Sequence, residues 1–157
     1  GQDPKFAGAV SDVVGDALPI LANTVTDVQG ITMYWLGPDE WLIVTPDERR
    51  AAVESELRRA LASLHVAITD VSGGQTLLQL HGRYVRDVLA KGCPIDLHPR
   101  AFAIGQCAQS HLAKAPILIG QIENQPYFEL VFRRSFADYL WSWLEVAAAE
   151  YGLEVAA

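Results

Sequence analysis

Apolar residues recur at Phe6, Val10, Val13, Val14 and Ala17, the spacing of one helix face. They predict a helix over residues 6–18 that Pro19 stops and that Gly8 and Gly15 weaken. Residues 23–28 are β-branched and predict a short strand ending at Gly30. Residues 31–36 and 41–44 predict two further strands joined by the turn Gly37-Pro38-Asp39. Thr45-Pro46-Asp47-Glu48 then reads as a helix start. Thr45 would be the N-cap, Pro46 would take the first helical position, and Glu48 would reach back to the cap N–H. Val53, Leu57, Ala60, Leu61 and Leu64 give this helix a buried stripe, while Glu54, Glu56, Arg58 and Arg59 face water.

Residues 66–71 predict a strand, Ser72-Gly73-Gly74 a turn, and residues 76–80 the returning strand. A short helix over residues 83–91 buries Val85, Val88 and Leu89, with Gly92 as its C′ residue and Pro94 preventing continuation. Residues 93–105 have no period and read as an ordered loop. Three strands follow, 106–113, 117–122 and 127–132, with Asn124-Gln125 in the last turn. Ser135 is the expected cap of a final helix whose apolar face is Phe136, Leu140, Trp143, Leu144, Ala147 and Tyr151, ended by Gly152. Strand runs alternate with single helices and short turns. That order predicts an α+β fold of largely antiparallel sheets with helices packed on their faces. No linker or internal repeat divides the chain, so one domain over residues 1–157 is expected, with residues 1–5 flexible or tag-derived.

A chain of 157 residues is long enough for a full core, and its 50% apolar and 20% charged content is ordinary globular composition. No apolar run approaches the roughly 20 residues of a spanning helix. No secretion signal is legible in the polar residues 1–5, and with only two cysteines a reducing cytoplasm is the expected compartment. Twelve basic against 19 acidic residues give a net charge of -7, which disfavours nucleic acid. The nearest approach to a basic patch is Arg83, Arg86, Lys91 and Arg100. Two cysteines make no disulfide framework.

Several constellations hold residue types that can do chemistry. Cys93, His98, Cys107 and His111 hold the ligand types of a tetrahedral zinc site, and Cys107 and His111 share a strand face. Their spacing matches no common zinc module, and small buried cysteines are the plainer reading. Ser72, His81 and Asp70 or Asp87 lack a Gly-x-Ser-x-Gly elbow, and Ser72 beside two glycines reads as a turn residue. Of the carboxylate pairs, Asp47-Glu48 is a helix start and Asp39-Glu40 a hairpin turn. No glycine-rich phosphate loop precedes a helix, so no dinucleotide site is expected. The tryptophans are more informative. Trp141 and Trp143 sit about 200° apart around one helix, so both cannot face one core. Trp141 is the displaced one, and Trp35 and Trp41 flank a hairpin. Edge packing is one reading of these rings; interface anchoring, with Arg133 and Arg134 nearby, is the other.

Three stretches carry a family resemblance: Trp35-Leu36-Gly37-Pro38-Asp39-Glu40-Trp41, Lys91-Gly92-Cys93-Pro94-Ile95-Asp96-Leu97, and Arg133-Arg134-Ser135-Phe136-Ala137. With the turn Asp70-Val71-Ser72-Gly73-Gly74-Gln75, they resemble the gamma subunit of heterotetrameric sarcosine oxidase, itself distantly similar to the folate-binding module of glycine-cleavage aminomethyltransferases. The resemblance implies an α+β fold and a non-catalytic structural subunit of a complex that demethylates sarcosine to glycine. That complex makes hydrogen peroxide and passes the one-carbon unit to tetrahydrofolate. It implies FAD, FMN and NAD in alpha and beta subunits, zinc in a delta subunit, and no catalytic, cofactor or metal residue here. The chain is shorter than a full aminomethyltransferase, which counts against a complete tetrahydrofolate pocket. The alpha subunit is the expected main partner. Expected contacts are the loop bearing Cys93, Asp96, His98 and Arg100, the Trp35 and Trp41 hairpin, and Trp141. The equivalent subunit of N-methylglutamate dehydrogenase, a free-standing tetrahydrofolate-binding one-carbon module and a homo-oligomeric binding protein are the alternatives.

Overall fold

Asp3 opens the first helix, α1 (Pro4–Val14), by accepting the Lys5 N–H at 2.9 Å, and Pro4 occupies a position that needs no donor. Gly15, not Pro19, ends it: at φ 92° the glycine turns left-handed and its N–H reaches Ser11 O at 2.8 Å. The structure, a computed structural model, describes residues 3–123 and 127–156. They group into two compact units, one of residues up to Asp70 plus Gly105–Cys107, the other of Val71–Ile104 and Ala108 onward.

In the first unit, β1 (Val25–Val28), β2 (Ile31–Gly37) and β3 (Glu40–Val44) form an antiparallel sheet in that order. Its Ile31, Met33, Trp41 and Ile43 pack with Val10, Val14 and Leu18 and with Val53, Leu57 and Leu61 of the next helix and its end. That helix, α2 (Asp47–Ala60), starts one residue later than the capping box requires. Pro46 is the N-cap and has no donor or acceptor side chain. Thr45 lies too far back to reach the first-turn amides, and its hydroxyl donates to Pro46 O at 3.1 Å. Asp47 and Glu48 favour the positive end of the helix by charge alone.

Residues 66–71 do not form the expected strand. Among the described residues they pair with no strand; α2 holds them by side chains instead. Arg58 donates to Ile68 O at 2.8 Å while paired with Glu54, and Arg50 reaches Asp70 at 2.7 Å. Val66 therefore stays exposed and Ile68 turns inward.

The second unit is a four-stranded antiparallel sheet in the order β4 (Gln75–His81), β7 (Tyr127–Arg133), β6 (Ala115–Glu123), β5 (Gln106–Leu112). One face carries Leu78, Leu80, Ile117, Ile119, Phe128, Leu130 and Phe132. It is covered by Val85, Val88 and Leu89 of α3 (Val85–Ala90) and by Leu140, Leu144 and Ala147 of α4 (Ala137–Ala148). The fold is thus α+β, with antiparallel sheets and helices on their faces.

Two helix ends differ from expectation. Gly92 is not a left-handed cap, because α3 stops at Ala90 in right-handed geometry. The glycine is needed for space: a Cβ there would lie 2.5 Å from Cζ2 of Trp143. Ser135 caps nothing, since Arg134–Phe136 form a tight 3-10 turn and α4 begins after them. Gly152 lies beyond the end of α4 at φ 84° and donates to Ala148 O at 3.0 Å. The expected Asn124-Gln125 turn lies outside the described residues.

Candidate interaction surface

Trp35 and Trp41 face each other across β2 and β3. Trp41 is committed to its own unit. Its indole N–H donates to Pro19 O at 2.7 Å, and its ring lies 5.3 Å from that of Phe6. Trp35 is half-buried, and its backbone holds the neighbourhood together: its N–H donates to Thr24 O and its carbonyl accepts from the Cys107 thiol at 3.6 Å. The single S–H is shared with the nearer Thr24 O at 3.2 Å, and burial pushes the Cys107 thiol up to about 11. It is a small buried donor with suppressed thiolate character.

The loop after α3 is ordered, as its sequence suggests, by its own polar groups. Asp96 Oδ1 accepts from His98 N–H at 2.9 Å, and His98 Nδ1 accepts from Arg100 N–H at 3.2 Å. Ala101 and Phe102 N–H both donate to His98 O. Cys93 and Leu97 are buried, whereas the side chains of Asp96, His98 and Arg100 are exposed. Arg86 pins the loop from below. It donates to Leu97 O and to buried Gln121 at 2.9 Å, and its guanidinium lies 4.9 Å over the Phe128 ring. Burial lowers its pKa.

The basic patch is thereby divided among separate tasks. Lys91 donates to Ala147 O at 2.6 Å, pairs with Glu150 and covers the Tyr151 ring, closing the end of α4. Arg83 lies 5.3 Å over Tyr84, which stacks on Tyr151. Among the described residues no group of three or more His, Cys, Asp or Glu side chains is placed to hold a metal ion.

Trp141 is different. It is 37% exposed and rims an open cleft of about 250 Å³ with Thr76, Leu78, Phe132, Ala137 and Asp138. The cleft lies where α4 meets β4, the outermost strand of its sheet. The angular displacement of Trp141 on its helix marks it in the sequence; the strand over residues 76–80 is predicted there too, but not as a surface. The signal for β4 was an uncharged, alternating stretch, Gln75-Thr76-Leu77-Leu78-Gln79-Leu80-His81.

Residues 1–150 match the model of the sarcosine oxidase, gamma subunit family. The chain belongs to that family. The gamma subunit of sarcosine oxidase from Corynebacterium sp. strain P-1 is 35% identical over 93% of this chain and 71% of its own length. The counterpart from Arthrobacter sp. is 33% identical over 94% and 73%. A solved chain of heterotetrameric sarcosine oxidase from Corynebacterium sp. U-96, in complex with pyrrole 2-carboxylate, superposes with a TM-score of 0.84. That match has 32% identity over 99% of this chain and 79% of that one. An aminomethyltransferase from Saccharopolyspora erythraea is 28% identical over 80% of this chain but only 34% of its own length. The family's distant likeness to aminomethyltransferases is visible in that match. No helix among the described residues is long and apolar enough to cross a membrane.

Proposed function

We propose that this chain is the non-catalytic structural gamma subunit of a cytoplasmic heterotetrameric sarcosine oxidase. The observation that carries the reading is family membership, reinforced by a superposition over 99% of the chain on a sarcosine oxidase subunit. The complex would convert sarcosine, dioxygen and tetrahydrofolate into glycine, hydrogen peroxide and methylenetetrahydrofolate. FAD, FMN, NAD and zinc would reside in the alpha, beta and delta subunits, with alpha as the chief partner. Within this chain the basic and thiol groups named above have structural roles. Arg86 and Lys91 brace a loop and a helix end, and Cys107 is a buried donor. Trp35, Trp41, the loop of Cys93, Asp96, His98 and Arg100, and Trp141 are the surfaces proposed to meet partners.

The test is capture of the tagged chain from its native cell extract, followed by a flavin spectrum and a sarcosine-dependent peroxide assay. Yellow partners that oxidise sarcosine are the expected result. Partners that oxidise N-methylglutamate instead would reassign the complex. A second reading, a free-standing tetrahydrofolate module, draws on the aminomethyltransferase similarity. It requires the isolated chain to bind tetrahydrofolate, which calorimetric titration measures directly.

A further inference from the structure

Edge strands expose unpaired backbone donors and acceptors, and proteins usually blunt them with lysine, proline, a bulge or a very short strand. β4 has none of these. It is seven residues long, contains neither charge nor proline, and pairs with β7 through Gln75↔Arg133 to His81↔Tyr127 without a register shift. Among the described residues its other side pairs with no strand. The opposite edge is treated differently: β5 begins with Gln106 bridged to Thr24 and with Cys107 N–H donating to Asn23 O.

The side chains of β4 agree with an unfinished sheet. Leu77 points away from the core and is 40% exposed. Thr76 and Leu78 point toward α4 yet remain only half-buried, because the Trp141 cleft opens beside them. A strand added about 4.8 Å outside β4 would carry every second side chain into that cleft.

We propose that β4 is a strand-addition site, completed by an extended segment of another subunit whose large apolar side chain fills the cleft under Trp141. Main-chain hydrogen bonds would supply affinity and the cleft would supply selectivity. Charge indicates a different chain over a second copy of this one. Exposed Arg133 and Arg134 flank the Gln75 end and form no ion pair among the described residues, so an acidic residue suits that end of the incoming segment. A symmetric β4–β4 pair would bring His81 there instead, and β4 contains no acid. This proposal rests on the subunit reading above and names where that subunit docks.

The test uses the complex reassembled from this chain and its companion subunits. Leu77→Lys places a charge on the exposed side of the edge, and Trp141→Ala empties the cleft rim. Each is expected to weaken assembly roughly tenfold or more, with the thermal midpoint of the isolated chain unchanged. In the wild-type complex, amides of residues 75–81 should exchange with deuterium at least tenfold more slowly than in the isolated chain. Full-strength assembly of both variants, with unprotected β4 amides, would overturn this docking site while leaving the subunit reading intact. If the wild-type chain joins no companion subunit, the subunit reading falls and this proposal with it. Dimerisation of the isolated chain that Leu77→Lys abolishes would assign the edge to a second copy and overturn the proposal.

Discussion

Trp41 and Trp141 are both tryptophans that the sequence offers as interface anchors, one in a strand and one in a helix. The fold uses them in opposite ways. Trp41 gives its N–H to Pro19 O and its ring to Phe6 and the core of the first unit. Trp141 makes no hydrogen bond among the described residues and rims a cleft beside a bare strand edge. An indole has a large apolar body and a single donor. Where the donor finds a carbonyl in its own unit the residue stabilises the fold; where it does not, the ring is left for a partner.

Stability measurements can break this contrast. Trp41→Ala should lower unfolding free energy by about 3 kcal/mol, and Trp141→Ala by less than about 0.5 kcal/mol, both read by urea denaturation. Equal losses would end the distinction.

A smaller effect is expected where Trp143, the third ring, packs on Gly92. Gly92→Ala should cost about 2 kcal/mol through overpacking. Part of that loss should return in the Trp143→Leu background, since the clashing atoms Cζ2 and Cη2 are then gone. A double-mutant cycle without coupling would show that Gly92 matters for another reason.

Cys107 sharpens the comparison on the side of the first unit. Its thiol titrates at about 11 when folded against 9.0 ordinarily. Between those values the unfolded chain loses a proton that the folded chain keeps, so stability should fall as pH rises from 9 to 11. The loss is on the order of 1–2 kcal/mol. Cys107→Ala should flatten that part of the stability profile, and alkylation of wild-type Cys107 by iodoacetamide should require unfolding.

The smallest expected change is Thr45→Ala. A working N-cap contributes about 1 kcal/mol, but Thr45 bonds only Pro46 O. The loss should stay below about 0.3 kcal/mol, measured in the same urea series.

Much of the fold was legible because periodicity records burial. The alternation in β4, the i, i+4 stripe of Val53, Leu57 and Leu61, and the wide apolar face of α4 each reappear as packed faces. Segments whose state depends on a distant partner were not legible. Residues 66–71 have strand composition but are held by Arg50 and Arg58 of α2. The non-periodic loop after α3 was legible as ordered, but the guanidinium that pins it was not, because Arg86 meets Gln121 across 35 positions of sequence.

The sequence alone determined the fold class, the family and the displacement of Trp141 from its helix stripe. Local pattern and side-chain chemistry are enough for those. Tertiary structure decided which polar and aromatic groups are satisfied internally and which strand has an open side. A hydrogen-bond partner or a vacant edge is a property of the packed arrangement, and no window of neighbouring residues contains it.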